Sequence, residues 1–163
     1  RRNFRNWNFF DGRFDRLWQD GRHLAPIVCE RSAKFLSWRF SQQPGHSYRI
    51  AALIESATLH IRAYAVLRDV DGCAELADLF GATPAEIDVL IGRLVPVLHA
   101  QGYHSTAIRF LGIPQLTRVL AHHGFACRPE KRMVTIAISD PMIKRLELVD
   151  PSSWYLTDLD EDS

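Results

Sequence analysis

The chain has 163 residues, 47% of them hydrophobic, which suits one domain with a sizeable core. Its 20 Lys and Arg against 19 Asp and Glu leave a net charge of +1, a balance that speaks against a polybasic nucleic-acid binder and against a disordered chain. No apolar run approaches the roughly 20 residues needed to span a bilayer and no signal peptide is visible, so a cytoplasmic protein without membrane contact is expected.

In chain order, "RNWNFF" (5–10) reads as a short first strand, and "DGRFDRLWQD" (11–20) as a helix with Phe14, Leu17 and Trp18 on one face. "ERSAKFLSWRF" (30–40) is a second helix, with Ser32 as N-cap, Phe35, Leu36 and Trp38 as apolar positions, and Trp38 expected in the core. "QQPGHS" (42–47) breaks it with turn chemistry. "YRIAALIE" (48–55) and "LHIRAYAVLR" (59–68) then read as strands. In the second, Leu59, Ile61, Ala63, Ala65 and Leu67 line one face, against His60, Arg62, Tyr64 and Arg68. The short link Ser56–Thr58 makes the two an antiparallel hairpin, and Asp71-Gly72 turns into a third meander strand, "CAELADLF" (73–80).

Ile87, Leu90, Ile91, Leu94 and Leu98 form the apolar stripe of the next helix. Pro96 inside it costs a hydrogen bond to the carbonyl of Gly92, so a kink rather than a stop is expected. "HSTAIRFL" (104–111) returns as a strand, and a strand–helix–strand unit of this length implies parallel pairing. A shorter helix opens at Pro114 and ends at Gly124, and "RMVTIAI" (132–138) is the last strand. The expected architecture is α/β (α+β), a mixed sheet with helices on both faces. Residues 1–150 form the single domain, followed by an acidic tail (151–163) that is solvated from Asp158 onward. The sequence begins at Arg1 rather than Met, as a piece of a longer protein would.

That order of elements resembles the GNAT N-acetyltransferase family over nearly the whole chain. "FDRLW", "FLSWRF" and "PGHSY" look like the first third of GNAT-like domains that form the C-terminal half of tandem bacterial proteins. "LAHHGF" (120–125) resembles the end of the fourth GNAT helix, and "WYLTDLDEDS" is similar to a Trp-x-x-Thr-x-x-Asp-x-Asp ending of the same group. The resemblance implies an acyl-coenzyme A donor, such as acetyl-coenzyme A, and a small-molecule amine acceptor. It also implies that main-chain groups of the strand Cys73–Phe80 grip the pantetheine arm and that the following turn takes the pyrophosphate. Asp78, Leu79, Phe80, Gly81 and Thr83 are then the cofactor-binding positions, and Glu75 is the candidate base, needing its pKa raised by burial.

The turn argues against its usual ligand. A phosphate there needs free N–H donors and the positive end of the helix dipole. Thr83 and Glu86 have the spacing of a capping box, and Pro84 donates no N–H. The tyrosine that often serves the family as general acid is here Leu120, and the asparagine that commonly opens that helix is Ile113. A leucine transfers no proton.

Other constellations are weaker. His122 and His123 are adjacent on a helix and point about 100° apart, so with Cys127 they make no metal site by spacing. Cys29, Cys73 and Cys127, odd in number and far apart, read as reduced thiols. No Gly-x-Ser-x-Gly elbow supports a hydrolase. The arginines and aromatics of residues 1–10 read as the two sides of an edge strand rather than a nucleic-acid surface. For an anionic substrate in the cleft below the meander, Arg39, Arg62 and Tyr64, with Arg49, are the candidates. Two functions compete: an acyl-coenzyme A-dependent N-acyltransferase, degenerate in coenzyme A binding, and a non-catalytic GNAT-like module that binds an adjacent domain of the same chain. Hydrophobic strand edges leave room for a homodimer.

Overall fold

Residues 2–42, 47–128 and 148–160 are described by the structure, a computed structural model. In chain order they form β1 (Arg2–Trp7), α1 (Gly12–Gly21), β2 (Ile27–Val28), α2 (Ala33–Leu36), β3 (Arg49–Glu55), β4 (Ile61–Val70), β5 (Cys73–Gly81), α3 (Pro84–Ala100), β6 (Ser105–Ile108), β7 (Leu111–Gly112), α4 (Pro114–His122) and β8 (Trp154–Leu156). The larger sheet has the order β1-β3-β4-β5-β6. Its first four strands pair antiparallel, and β6 joins β5 in parallel after the α3 crossover. A second, three-stranded sheet has the order β2-β8-β7.

Both faces of the large sheet are covered, which explains why β3, β4 and β5 carry long buried runs rather than strict alternation. On one face lies α3, whose Ile87, Leu90, Ile91, Leu94 and Leu98 are all buried as the stripe requires. Each such aliphatic side chain contributes about 1.5–3 kcal/mol by leaving water. The helix runs from Pro84 to Ala100 with Pro96 inside it. On the other face lies α1, capped by Asp11, which accepts from the N–H of Arg13, and burying Phe14 and Leu17. Phe14 meets Tyr64 edge to face at 5.2 Å. The end of α1 comes very close to β5: a Cβ on Gly21 would stand 2.5 Å from the Gly81 carbonyl oxygen. Among the described residues, no helix is long and apolar enough to cross a membrane.

Several expectations are corrected. The first strand is Arg2–Trp7, not 5–10; Phe4 and Trp7 pack on the core while Phe9 is exposed. Leu59 is no strand residue: it sits in the β3–β4 turn with φ +59° and is exposed. The second helix is α-helical only to Leu36 and continues as a π-helix over Ser37–Ser41. The wider turn shifts the helical phase, so Arg39 and Phe40 rotate inward and Trp38, expected in the core, is 56% exposed. The strand foreseen at 104–111 is two strands in two different sheets, β6 and β7. The strand foreseen at 132–138 lies outside the described residues.

The largest correction concerns the tail. Residues 154–156 form the central strand of the second sheet, and Tyr155, Thr157, Asp158 and Leu159 are buried. The segment expected to be solvated from Asp158 completes the core as far as Asp160, because the buried Arg31 pairs with Asp160 and the partly exposed Arg68 with Asp158.

Candidate functional site

The site is built on β5. Val66 of β4 pairs with Asp78 and Leu67 with Leu76, so Ala77 is the extra residue of a β-bulge. One inserted residue reverses the in–out alternation beyond it. Glu75, paired with Arg68, thereby shares the α1 face with Asp78 and Phe80. At the same place β5 parts from β6, whose ladder covers only Cys73–Leu76.

Above the bulge lies a fully buried polar cage. Asp78 is wholly inaccessible. Its Oδ1 accepts from Arg31 Nε at 3.3 Å and Nη2 at 3.2 Å, and from the Thr157 hydroxyl at 2.8 Å. Its Oδ2 accepts from the Tyr64 hydroxyl at 2.6 Å. Arg31 also donates to Asp160 at 3.0 Å and to the Cys29 carbonyl at 2.8 Å, and its guanidinium lies against the rings of Phe80 and Tyr155. Asp160 in turn accepts from the Thr157 N–H at 2.8 Å. The hydroxyl of Tyr155 donates to the Leu79 carbonyl. Burial alone would lower the pKa of Arg31, but the charges of Asp78 and Asp160 outweigh it and raise it. Burial, reinforced by Asp78, pushes Tyr64 well up, and burial does the same for Tyr155, so both stay neutral donors.

Below the bulge a second, wetter cluster gathers two arginines and two carboxylates. Glu75 accepts from Arg68 Nε at 2.6 Å and lies 3.7 Å from Arg109. Asp158 is bonded by Arg68 at 3.2 Å and by Arg109 at 3.1 Å. Arg109 is 35% exposed in its side chain and Glu75 12%.

At the far end of β5 is the turn into α3. The Thr83 side chain accepts from the Glu86 N–H at 3.3 Å, as a cap should. The Glu86 carboxylate turns to the Thr83 hydroxyl at 3.2 Å and to Arg62 Nε at 2.7 Å; Arg62 also reaches Asp20. The Ala82 N–H donates to the Arg62 carbonyl and the Ile87 N–H to that of Thr83. Gly81 is closed in as well, since a Cβ there would meet Ile87 at 2.7 Å and Ala63 at 3.1 Å.

Of the residues singled out from sequence, Tyr64, Asp78 and Phe80 meet in the cage, while Leu79 contributes its carbonyl there. Gly81, Thr83 and Arg62 belong to the turn, and Glu75 to the lower cluster. Arg39 joins none of these: buried, it donates to the carbonyls of Leu159 and Asp158 and so fastens the tail. Arg49 lies at a shallow depression of about 300 Å³, bonded to Gln101 and Tyr103. Sequence reasoning missed Arg31, Tyr155, Thr157 and Asp160. Thr157 and Asp160 fill named positions of the Trp-x-x-Thr-x-x-Asp-x-Asp ending, so their spacing was a signal; Tyr155, at an open position of it, and Arg31 carried none.

No known protein family matches the chain, and no curated protein does. A crystal structure of a point mutant of TTHA1254 from Thermus thermophilus is similar, with a TM-score of 0.50 and 20% identity over 83% of this chain and 99% of that one. At that identity the likeness is one of fold.

Proposed function

We propose that the chain is a GNAT-like domain that works by binding, to an adjacent domain of its own polypeptide or a small amine, rather than by transferring an acyl group. The observation that carries this reading is the tail. Residues 155–160 occupy the side of β5 beyond the bulge, where the family resemblance would lay a pantetheine arm. Tyr155 already bonds the Leu79 carbonyl, and Thr157 bonds Asp78.

The turn offers a coenzyme A diphosphate few donors. The N–H groups of Ala82, Glu86 and Ile87 have partners within the chain, and Pro84 has none to give. The buried Glu86 carboxylate holds the positive end of α3, where a diphosphate would meet a like charge. Glu75, as a base, would have to be taken from Arg68 and Arg109. A binding role draws support from Trp38, turned outward beside Phe35 at 5.6 Å, which offers aromatic surface to a neighbouring domain.

The acyl-coenzyme A-dependent N-acyltransferase reading keeps one observation in its favour. Glu75 stands where β5 and β6 part, close to where catalytic glutamates are implied by the resemblance. A thermal shift with acetyl-coenzyme A separates the two. A site at 100 times its dissociation constant adds about 2.7 kcal/mol of stability. The binding reading expects no shift at millimolar acetyl-coenzyme A. A clear shift, together with acetylation of an amine that Glu75→Gln abolishes, would overturn it.

A further inference from the structure

Apart from β5 and its surroundings, one group of side chains converges on the opposite side of the sheet. Asp88 of α3 and His122 and His123 at the end of α4 each present a ligand atom, and these atoms lie within 4.8 Å of one another. The expectation that two adjacent helical histidines diverge fails because the helix ends between them. His122 is the last helical residue, and His123 is a cap with ψ +16°, followed by Gly124 at φ +84°. The two rings come to lie edge to face, 5.1 Å apart. Asp88, which no spacing argument links to residues 122 and 123, comes from the neighbouring helix, with its Oδ1 2.8 Å from His123 Nε2.

We propose that Asp88, His122 and His123 form a surface site for a borderline divalent transition metal, Zn²⁺ above all, with water completing the coordination. Two imidazoles and a carboxylate are the donor set such ions prefer, whereas Mg²⁺ and Ca²⁺ demand oxygen. Zn–N bonds of about 2.0–2.1 Å in a tetrahedron place donor atoms roughly 3.4 Å apart. The 2.8 Å pair opens slightly and the third donor closes in, movements within the reach of side-chain rotation because all three ligands reach solvent. His123 is 19% and Asp88 44% exposed in the side chain.

Two further features favour a cation here. Gly92 follows Asp88 by one turn of α3, and a Cβ on it would stand 3.0 Å from His123 Cε1. Its missing side chain is the space in which the imidazole lies over α3. The site also caps the C-terminal, partially negative end of α4, which attracts positive charge. A bound ion would link α3 to α4 through three side chains on helices already packed together.

The test uses the untagged chain, stripped with EDTA and titrated with ZnCl₂ by calorimetry at about pH 7.5. One Zn²⁺ per chain is expected, with MgCl₂ and CaCl₂ giving no heat. Asp88→Asn and His122→Ala should each weaken the Zn²⁺ affinity at least tenfold, and His122→Ala with His123→Ala should abolish the site. Because His122 is exposed, its single variant keeps the test independent of folding, and unchanged metal-free melting confirms that. Co²⁺ in place of Zn²⁺ gives visible bands whose loss in His122→Ala reads the ligand directly. Absence of binding at millimolar Zn²⁺, or binding that the double variant leaves intact, overturns the proposal.

Discussion

The two faces of the large sheet are buried by different chemistry. Against α3 the sheet presents small and aliphatic side chains, and Gly81 lets Ile87 and Ala63 close up on its backbone. Against α1 and the C-terminal segment it presents Tyr64, Asp78 and Phe80, and the same strand that is plain core on one side holds a buried ion pair on the other. The apolar face is tolerant, because any well-fitting hydrocarbon serves. The polar face is not. Each atom there needs its partner, since a buried charge without one costs far more than a lost hydrogen bond.

The largest effect is therefore expected at Asp78. Removing its carboxylate by Asp78→Ala should cost about 3–5 kcal/mol in chemical denaturation, because Arg31 is left with Asp160 alone. The double change Arg31→Met with Asp78→Leu should not recover that loss, because it leaves Asp160 buried without its cation and the Tyr64 and Thr157 hydroxyls without their acceptor. A cost near zero for Asp78→Ala would erase the distinction between the faces. On the apolar side, Leu90→Ala should cost about 2–5 kcal/mol, and Leu90→Met under about 1.5, which measures the tolerance claimed for it.

Alkaline pH tests the polar face alone. Tyr64 and Tyr155 have pKa values raised by burial, so their folded contribution is complete below the unfolded value near ~10. It is lost as pH rises from there toward the folded values. Tyrosinate absorbance for these two should appear together with loss of the near-ultraviolet dichroism, and ionisation in a still-folded chain would contradict the cage. At the turn, Thr83→Ala should cost about 1 kcal/mol as a lost helix cap. The smallest effect is kinetic. Burial and the neighbouring Asp160 push the Cys29 thiol up to about 11, so iodoacetamide at about pH 8 should label it slowly although the residue reaches the surface.

The apolar face was the readable one. The stripe Ile87–Leu98, the cap at Thr83, the hairpin and the parallel return are all local patterns, and local periodicity reports local burial. The polar face was not, for three reasons. The π-helix at Ser37–Ser41 breaks the 3.6-residue phase, so Trp38 and Arg39 exchanged their expected places. The bulge at Ala77 moved Glu75 onto the face of Asp78, and a single extra residue leaves no mark on composition. The partners of Asp78 come from residues 31 and 157, so an acidic-looking ending read alone suggests solvent. The same limit hid the meeting of Asp88 with His123, which are 35 residues apart.

The bond from Arg31 to Asp160 joins residues 129 positions apart. A chain emerging from the ribosome can form the hairpin and lay α3 on it long before that partner has been made. Until Asp160 is out, Arg31 and Asp78 have no lid, and the flank of β5 stays open to water. Completion of this fold is thus tied to the arrival of the Asp158–Asp160 turn, and a ribosome halted short of Asp160 would hold a sheet finished on one side only.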